Sequence, residues 1–233
     1  MQDYKNITLI IPTLNEAENI EIILNSALKN FPSINILVVD DNSNDGTIEI
    51  VKYFASKNKN IKLLERKSKR GLTSAIVDGV KNARTKYIIV IDGDNQHPLN
   101  KIKDVADKLY AGNQIVVGAR KNFKNEKPFY RRLISFFANK TAVFILKAKS
   151  KLYASDVLTG FFGVERGLFI KTFNTNSKRF VMRGQKVLFD LLKCLDKKSV
   201  KIDEVKIVLN KRRYGNSKQS LKQGFLLLKS FLS

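Results

Sequence analysis

In the sequence Tyr87-Ile88-Ile89-Val90-Ile91-Asp92-Gly93-Asp94 of this 233-residue chain, an apolar run that predicts a buried strand ends directly in two carboxylates, which indicates an α/β fold. The same order occurs earlier, where Asp40-Asp41 follows Ile36-Leu37-Val38-Val39. Buried carboxylates cost free energy unless they are paired, hydrogen-bonded or bound to metal, and ligands of open α/β sheets bind at the carboxyl ends of strands. The two stretches therefore predict a site for a cation and a nucleotide.

On either side of these stretches, residues 7–119 alternate short apolar runs with amphipathic stretches, which is typical of βα units in a mostly parallel, Rossmann-like sheet. The turn at Pro12 to Glu16 lacks the GxGxxG fingerprint and no P-loop motif occurs, which argues against nicotinamide dehydrogenases and P-loop enzymes. We predict strands at Ile7 to Ile11, Asn35 to Val39, Ile61 to Glu65, Tyr87 to Ile91 and Gln114 to Val117, and helices at about 16–30, 46–57, 72–84 and 99–111, the second capped by Asp45-Gly46-Thr47.

The composition predicts one compact unit, since 43% of the residues are hydrophobic and neither an internal repeat nor a linker is evident. The single Cys194 excludes an intramolecular disulfide, and we expect it to pack in a helix from Val187 to Leu195 rather than act as a catalytic thiol. We see no signal peptide and no run long enough to span a membrane. Trp is absent, so the QxxRW signature of processive polysaccharide synthases is absent too.

The net charge of +22 belongs almost entirely to the second half of the chain. Residues 1–119 carry 16 Lys and Arg against 14 Asp and Glu, whereas residues 120–233 carry 27 against 7. A field of this sign attracts nucleic acid or an anionic membrane surface, and a solvated basic face is the third alternative.

Two amphipathic segments with basic residues lie in this second half, Phe129 to Lys147 and Leu221 to Leu232. In the first, aromatic residues such as Phe136, Phe137 and Phe144 are expected near one side and Lys140 elsewhere. Helices of this kind lie in a lipid interface, although ordinary packing on a core explains either helix alone equally well. Because two of them occur in the basic half, we favour contact with a membrane.

The chemistry of the acidic clusters leaves alternatives for single residues. Asp92, Asp94 and Gln96 offer oxygen ligands to a divalent cation, and Asp41 offers hydrogen-bond acceptors to a nucleobase or ribose. His97 is expected to cap or pack the turn before Pro98 rather than to take part in catalysis. Asp156 either orients the sugar or the acceptor, or caps a loop.

Seven motifs, taken together, resemble the family-2 glycosyltransferases of the dolichyl-phosphate mannose synthase and polyprenyl-phosphate sugar transferase type. The resemblance spans nearly the whole chain, with the motifs in the family's order. They are IPTLNEAENI, VVDDNSNDGT, GLTSAIVDGV, IDGDNQHP, VGARK, SDVLTGFFGVER and RRYGNSK.

The resemblance implies roles for individual residues. Three positions depart from the family: Leu14 replaces a frequent Tyr, Gly93 stands where Ala is common, and Gly184-Gln185 replaces Gly-Tyr, which leaves the sugar open. The residues implied in catalysis are Asp92, Asp94, Arg120, Arg212 and Lys218, and the implied metal ligands are Asp92, Asp94 and Gln96. The acceptor phosphate would be held by Arg131 and Ser135. The residues implied in binding the sugar nucleotide are Pro12, Leu14, Glu16, Val39, Asp41, Asp92, Gly93, Asp94, Arg120, Arg212 and Lys218.

By the same resemblance, residues 1–233 form one α/β domain of the GT-A type, with a nucleotide-binding half at 1–119 and an acceptor-binding, membrane-facing half at 120–233. The implied activity is an inverting, Mg²⁺- or Mn²⁺-dependent transfer of a hexose. Mannose from GDP-mannose would pass to a polyprenyl or dolichyl phosphate at the cytoplasmic face of a membrane, bound peripherally or through an anchoring partner protein. A phosphate acceptor is already an anion at neutral pH, since its second pKa is about 6, so no side-chain base is required.

Three other interpretations stay open at this point. UDP-glucose or another sugar nucleotide would suit the same motifs as a donor. A nucleotidyltransferase would use strand-end carboxylates and a cation to attack phosphorus and release pyrophosphate. A nucleic-acid-binding protein would use the basic half but has no need of Asp92, Asp94 and Gln96, so we expect no nucleic acid partner.

Overall fold

A computed structural model describes residues 3–67, 71–121, 129–150, 152–182, 184, 186–195 and 200–210. The strands are β1 (Ile7–Thr13), β2 (Asn35–Asp40), β3 (Ile61–Glu65), β4 (Tyr87–Val90), β5 (Ile115–Arg120), β6 (Phe162–Glu165) and β7 (Ile202–Ile207). The helices are α1 (Ala17–Asn30), α2 (Thr47–Lys57), α3 (Leu72–Asn82), α4 (Lys101–Tyr110), α5 (Phe129–Ser150), α6 (Arg166–Asn176) and α7 (Val187–Leu192), with a 3₁₀ turn at Ser177–Arg179.

The strands form one seven-stranded sheet in the order β3-β2-β1-β4-β6-β5-β7. β6 runs antiparallel to its neighbours β4 and β5, whereas the other described pairs are parallel. The parallel strands therefore all end at one edge of the sheet, and β6 begins there. The chain segment that enters β6 is consequently brought to the edge where ligands bind in sheets of this kind.

Both faces of the sheet are covered by helices, which explains why the central strands β1 and β4 are buried along their whole length. All seven residues of β1 are buried. Helices α1, α2 and α4 pack on one face, and α3, α5, α6 and α7 pack on the other.

The five predicted strands and four predicted helices of the first half are confirmed with small shifts at their ends. β5 continues to Arg120, three residues beyond its predicted end, because it pairs with β7 as far as Ile207. Neither β6 nor β7 was predicted, and α7 ends at Leu192 instead of Leu195. The predicted helix from Phe129 is α5, while the segment Leu221 to Leu232 lies outside the described residues.

Within the described ranges, none of the helices combines the length and the apolar character that a transmembrane span requires.

Candidate active site

The polar edge of the sheet is built by sharp turns after β1, β2 and β4. Each turn contains an asparagine in the left-handed region, with φ of 53° at Asn15, 64° at Asn42 and 58° at Asn95. Asn tolerates this conformation better than other residues with a side chain, since its amide hydrogen-bonds locally. Because β2, β1 and β4 are neighbours in the sheet, the three turns place the polar residues that follow these strands next to one another at one edge.

Asp92, the first residue of the acidic cluster, is held by His97. The backbone N–H of Asp92 donates to Nδ1 of His97 at 3.0 Å, and Nε2 of His97 lies 3.7 Å from the Asp92 carboxylate. An accepting Nδ1 leaves the imidazole proton on Nε2, on the side of the carboxylate. His97 is buried and stacks on Phe161 with ring centroids 5.5 Å apart. The expectation that His97 packs the turn is confirmed.

Gly160 lies directly against the carboxylate of Asp92. A Cβ atom built on Gly160 would come within 2.5 Å of both Asp92 carboxylate oxygens, which no real Cβ contact allows. The approach results from the antiparallel pairing of β6, which places Val90 opposite Phe162. The Asp92 side chain is 35% exposed, so its carboxylate packs against Gly160 on one side and is accessible to a ligand on the other.

Asp94 and Gln96 form the second part of the cluster. Asp94 accepts a hydrogen bond from the backbone N–H of Gln96 at 3.1 Å. The Gln96 carbonyl accepts from the backbone N–H of Asn210 at 2.8 Å, and its amide nitrogen donates to the Asn210 carbonyl at 3.4 Å. The described part of the chain contains no group of three or more His, Cys, Asp or Glu residues placed to hold a metal. The predicted ligand set instead has two carboxylates and one amide.

Arg120, at the end of β5, forms a bidentate pair with Asp156. Nε and Nη2 of Arg120 donate to the two oxygens of Asp156 at 2.5 and 2.8 Å, and the Arg120 backbone N–H donates at 3.2 Å. The Asp156 side chain is 2% exposed and that of Arg120 is 15% exposed. Asp156 therefore lies beneath the arginine, a relation that the sequence interpretation missed.

Asp41 is engaged by a second arginine that sequence reasoning missed. Its Oδ1 lies 2.8 Å from Nε of Arg66, and its Oδ2 accepts from the backbone N–H of Gly71 at 3.2 Å. Arg66 is buried, donates to Oγ of Ser74 at 2.8 Å, and lies 3.7 Å from the carboxylate of Asp78. The available signal was position, because Arg66 is the first residue after β3, as Asp41 is after β2.

The adjacent carboxylate, Asp40, has a structural role. It accepts hydrogen bonds from the hydroxyls of Thr13 and Ser43 at 2.7 and 2.6 Å, and from the backbone N–H of Ser43. These bonds join the turns after β1 and β2. The two neighbouring aspartates thus have different partners.

The remaining predicted nucleotide residues of the first half lie at the same edge. Pro12 and Val39 are buried, Leu14 and Glu16 are half-buried, and Glu16 accepts from the amide of Asn19 at 2.8 Å. Gly93 is buried, and an added Cβ would lie 3.0 Å from the Pro12 carbonyl oxygen. The edge therefore groups these residues as the sequence interpretation predicted.

The predicted cap Asp45-Gly46-Thr47 lies at the start of α2, where Gly46 is the N-cap without a side-chain cap bond, and Asp45 instead binds the first residues of α2 and α1. Its carboxylate accepts from the N–H and hydroxyl of Thr47 at 3.1 and 2.6 Å and from the N–H of Ala17 at 3.0 Å. Partial burial acts to raise the pKa of Asp45, but the hydrogen bonds from Thr47 and Ala17 outweigh it and lower the pKa.

α5 carries the predicted acceptor residues on a helix with two unlike faces. Asn139, Ala142 and Leu146 are buried, whereas Phe137 and Phe144 on the opposite face are 59% and 73% exposed. Ser135 is half-buried. Lys140, expected on another side, instead lies 5.5 Å from the ring centroid of Phe136.

Three of the predicted site residues have side chains outside the described part of the chain. The Arg131 side chain, Arg212 and Lys218 lie outside the described residues, and the described chain ends at Asn210 beside Gln96.

Burial raises the pKa of the Cys194 thiol, which fits packing rather than catalysis.

Known proteins resemble this chain in sequence and in fold. The model described as Glycosyl transferase family 2 matches residues 8–173. A dolichol-phosphate mannosyltransferase of Mycosarcoma maydis is 30% identical over 97% of this chain and 77% of the relative. The enzyme of that name from Saccharomyces cerevisiae is 31% identical over 79% of this chain and 68% of the relative.

Two solved structures match the fold at low sequence identity. Glucosyl-3-phosphoglycerate synthase from Mycobacterium tuberculosis, with Mn²⁺ and UDP, has a TM-score of 0.61 at 18% identity, covering 95% of this chain and 76% of that one. A mannosyltransferase from Pyrobaculum calidifontis, with GDP-Man and Mn²⁺, has a TM-score of 0.60 at 20% identity, covering 89% and 56%. With its helix-covered, mainly parallel sheet, the chain has the GT-A fold and belongs to glycosyl transferase family 2.

Proposed function

We propose that the chain transfers mannose from GDP-mannose to a polyprenyl or dolichyl phosphate, with inversion at the anomeric carbon. The names of its curated relatives support mannose and a dolichol-phosphate acceptor, and the GDP-Man complex of the Pyrobaculum calidifontis mannosyltransferase supports the donor. Such a transfer needs a site that holds the leaving diphosphate and a second, phosphate-bearing substrate close together.

The observation that carries the proposal is the meeting of opposite charges at one edge of the sheet. The segment from Asp156 to Gly160 contacts both the Arg120 guanidinium and the Asp92 carboxylate. A guanidinium is suited to phosphate oxygens, and carboxylates are suited to a cation that accompanies them. This combination fits a nucleoside diphosphate better than it fits nucleic acid alone.

The acidic cluster fits Mg²⁺ or Mn²⁺ as the cofactor. Asp92, Asp94 and Gln96 present oxygen ligands, and the supported, exposed carboxylate of Asp92 suits a hard divalent cation. The Mn²⁺ complexes of the two structural neighbours are consistent with this choice. A divalent cation bound there would neutralise charge on the departing diphosphate.

The side chains would share the remaining work. His97 keeps the Asp92 backbone in place, and Arg120 holds the donor phosphates. Arg131 and Ser135 would hold the acceptor phosphate, whose own negative charge makes it the nucleophile. Arg212 and Lys218 follow the segment that ends at Asn210 and are assigned to the donor phosphates.

We place the protein peripherally at the cytoplasmic face of a membrane. The exposed aromatic side chains of α5 and the basic second half support this location. A polyprenyl phosphate carries its phosphate at the lipid surface, so the acceptor helix would lie where the substrate is. Docking through an anchoring partner protein would leave the chemistry the same.

A donor panel tests the proposal. The protein is incubated with Mg²⁺ or Mn²⁺, a short polyprenyl phosphate and either GDP-mannose, UDP-glucose or another sugar nucleotide, and glycolipid and released nucleotide are measured. We expect mannosyl lipid and GDP in equal amounts. Glucosyl lipid from UDP-glucose would change the donor, pyrophosphate release would indicate a nucleotidyltransferase, and no product from any donor would contradict the proposal.

The metal assignment has its own test in Asp94→Asn. Loss of one carboxylate ligand should lower transfer by at least about 100-fold, and added Mn²⁺ should restore EDTA-treated wild type but not the variant. Asp104→Asn, which changes a carboxylate paired with Lys101 on α4, serves as the control and should keep wild-type activity. Full activity of Asp94→Asn would refute the assignment.

A further inference from the structure

Asp156 lies buried beneath the arginine that is assigned to the donor phosphates. Its carboxylate is almost completely buried, and both of its oxygens are used by Arg120. A buried carboxylate is stable only with a well-placed partner, and a bidentate pair fixes the plane as well as the position of a guanidinium. The pair therefore orients the arginine rather than merely balancing its charge.

The segment around Asp156 is itself clamped by two other elements. The amide of Asn139, buried in α5, donates to the Ser155 carbonyl at 2.8 Å and accepts from the Val157 N–H at 3.1 Å. The Glu204 carboxylate in β7 accepts from the Ser155 hydroxyl at 2.8 Å and from its N–H. Asp156 is thus held between α5 and β7 while it contacts the end of β5.

We infer that Asp156 is a positioning residue that fixes the Arg120 guanidinium on the donor diphosphate, with Asn139 locking the Asp156 segment to α5. This inference rests on the proposed function, in which Arg120 binds the diphosphate and α5 carries the acceptor site. Ser135 lies one helical turn before Asn139, so the segment joins the acceptor helix to the donor arginine. The distance between the donor diphosphate and the acceptor phosphate would then be set by one rigid unit, which consists of α5, the Asp156 segment and Arg120.

A double-mutant cycle on nucleotide binding tests the inference. The Kd of GDP with Mn²⁺ is measured by calorimetry for wild type, Asp156→Asn, Arg120→Ala and the double variant, with UDP as the second nucleotide and guanosine as the probe without phosphates. If Asp156 acts through Arg120, each single variant should weaken diphosphate binding about 10- to 100-fold. The double variant should be no weaker than Arg120→Ala, within about twofold, and guanosine affinity should not change.

Arg120→Lys gives an independent answer if Asp156→Asn does not fold. Lysine keeps the charge but cannot form the bidentate pair, so we expect it to lose about tenfold or more in diphosphate affinity. Wild-type affinity of this variant would overturn the inference. So would additive losses in the cycle, equal losses for guanosine, or no binding of either nucleotide to wild type.

Asp190→Asn is the matched control. Asp190 is equally buried, pairs with Lys193 at 3.0 Å and accepts from the Val181 N–H at 3.0 Å. Its loss should lower the melting temperature without changing the affinity for GDP, which separates a general folding defect from the effect on Arg120. If wild type binds GDP but forms no mannosyl lipid, only the proposed function fails; if transfer occurs and the cycle is additive, only this inference fails.

Discussion

At the scale of single residues, the contact between Gly160 and Asp92 leaves no room for a side chain. In Gly160→Ala, the new Cβ would have to displace the carboxylate or the strand-end segment. Because misplacement of a reacting group by about 1 Å can cost about 100-fold in rate, we expect transfer to fall by about that factor while the protein stays folded. Activity and thermal unfolding measured on one preparation check this.

A second glycine provides the control for this prediction. A Cβ at Gly167, in the first turn of α6, meets nothing within 4 Å. Gly167→Ala should keep wild-type activity and add about 0.5–1 kcal/mol to the free energy of unfolding, since Ala loses less backbone entropy in a helix. Wild-type transfer by Gly160→Ala would show that the Asp92 carboxylate is not part of the working site.

Arg66 is the other residue whose loss has a clear expected cost. Arg66→Met would remove the guanidinium that lies 2.8 Å from the buried Asp41 carboxylate, and breaking a buried pair in this way costs about 3–5 kcal/mol. Urea denaturation measures the loss of unfolding free energy. Lys67→Met, which changes an exposed neighbour, should stay within about 0.5 kcal/mol of wild type. Equal stability of the two variants would contradict the structural role of the pair.

At the scale of elements, Asp45 joins the first turns of α1 and α2, so the stability of this junction should depend on pH. A carboxylate whose pKa is lowered by folding stabilises the protein above its unfolded pKa, and the contribution disappears as the pH falls through the lower, folded pKa. Because Asp45 is exposed and solvent screens its charge, we expect Asp45→Asn to be less stable at pH 7 by only about 0.3–1 kcal/mol. The difference should shrink below about pH 4.

Chemical denaturation of wild type and Asp45→Asn between pH 7 and pH 2 measures this difference. Glu49→Gln is the control, since this exposed carboxylate lies in the same first turn of α2. A gap between wild type and Asp45→Asn that is constant over the whole pH range would mean that the charge of Asp45 is not what joins the helices.

At the scale of the whole molecule, the exposed aromatic face of α5 should determine binding to lipid. We expect Phe137→Ser with Phe144→Ser to weaken sedimentation with anionic vesicles by about tenfold, because two exposed aromatic side chains lose the apolar surface that they would bury. Tyr53→Ser, on α2 of the opposite sheet face and 63% exposed, is the control. Unchanged vesicle binding of the double variant would remove α5 from the membrane contact.

How much was predictable differed between the two halves of the chain. The strand β4 and the cluster Asp92 to Gln96 followed from sequence because an apolar run and the carboxylates after it are local features. β6 was missed because Phe162–Glu165 is short and has antiparallel partners in β4 and β5 that are distant in sequence. The pairs of Asp156 with Arg120 and of Asp41 with Arg66 were missed for the same reason.

The sequence by itself determined the α/β class, the acidic strand ends, the uneven distribution of charge and the resemblance to family-2 glycosyltransferases. These properties can be seen in the linear order of the residues, either over a few positions, as for the acidic strand ends, or as a sum along the chain, as for the charge. Only the tertiary structure decided that β6 runs antiparallel, and so which side chains meet at the edge. The reversal brings Asp156 to Arg120 and Gly160 to Asp92, because pairing between distant strands, rather than any local preference, sets where that segment lies.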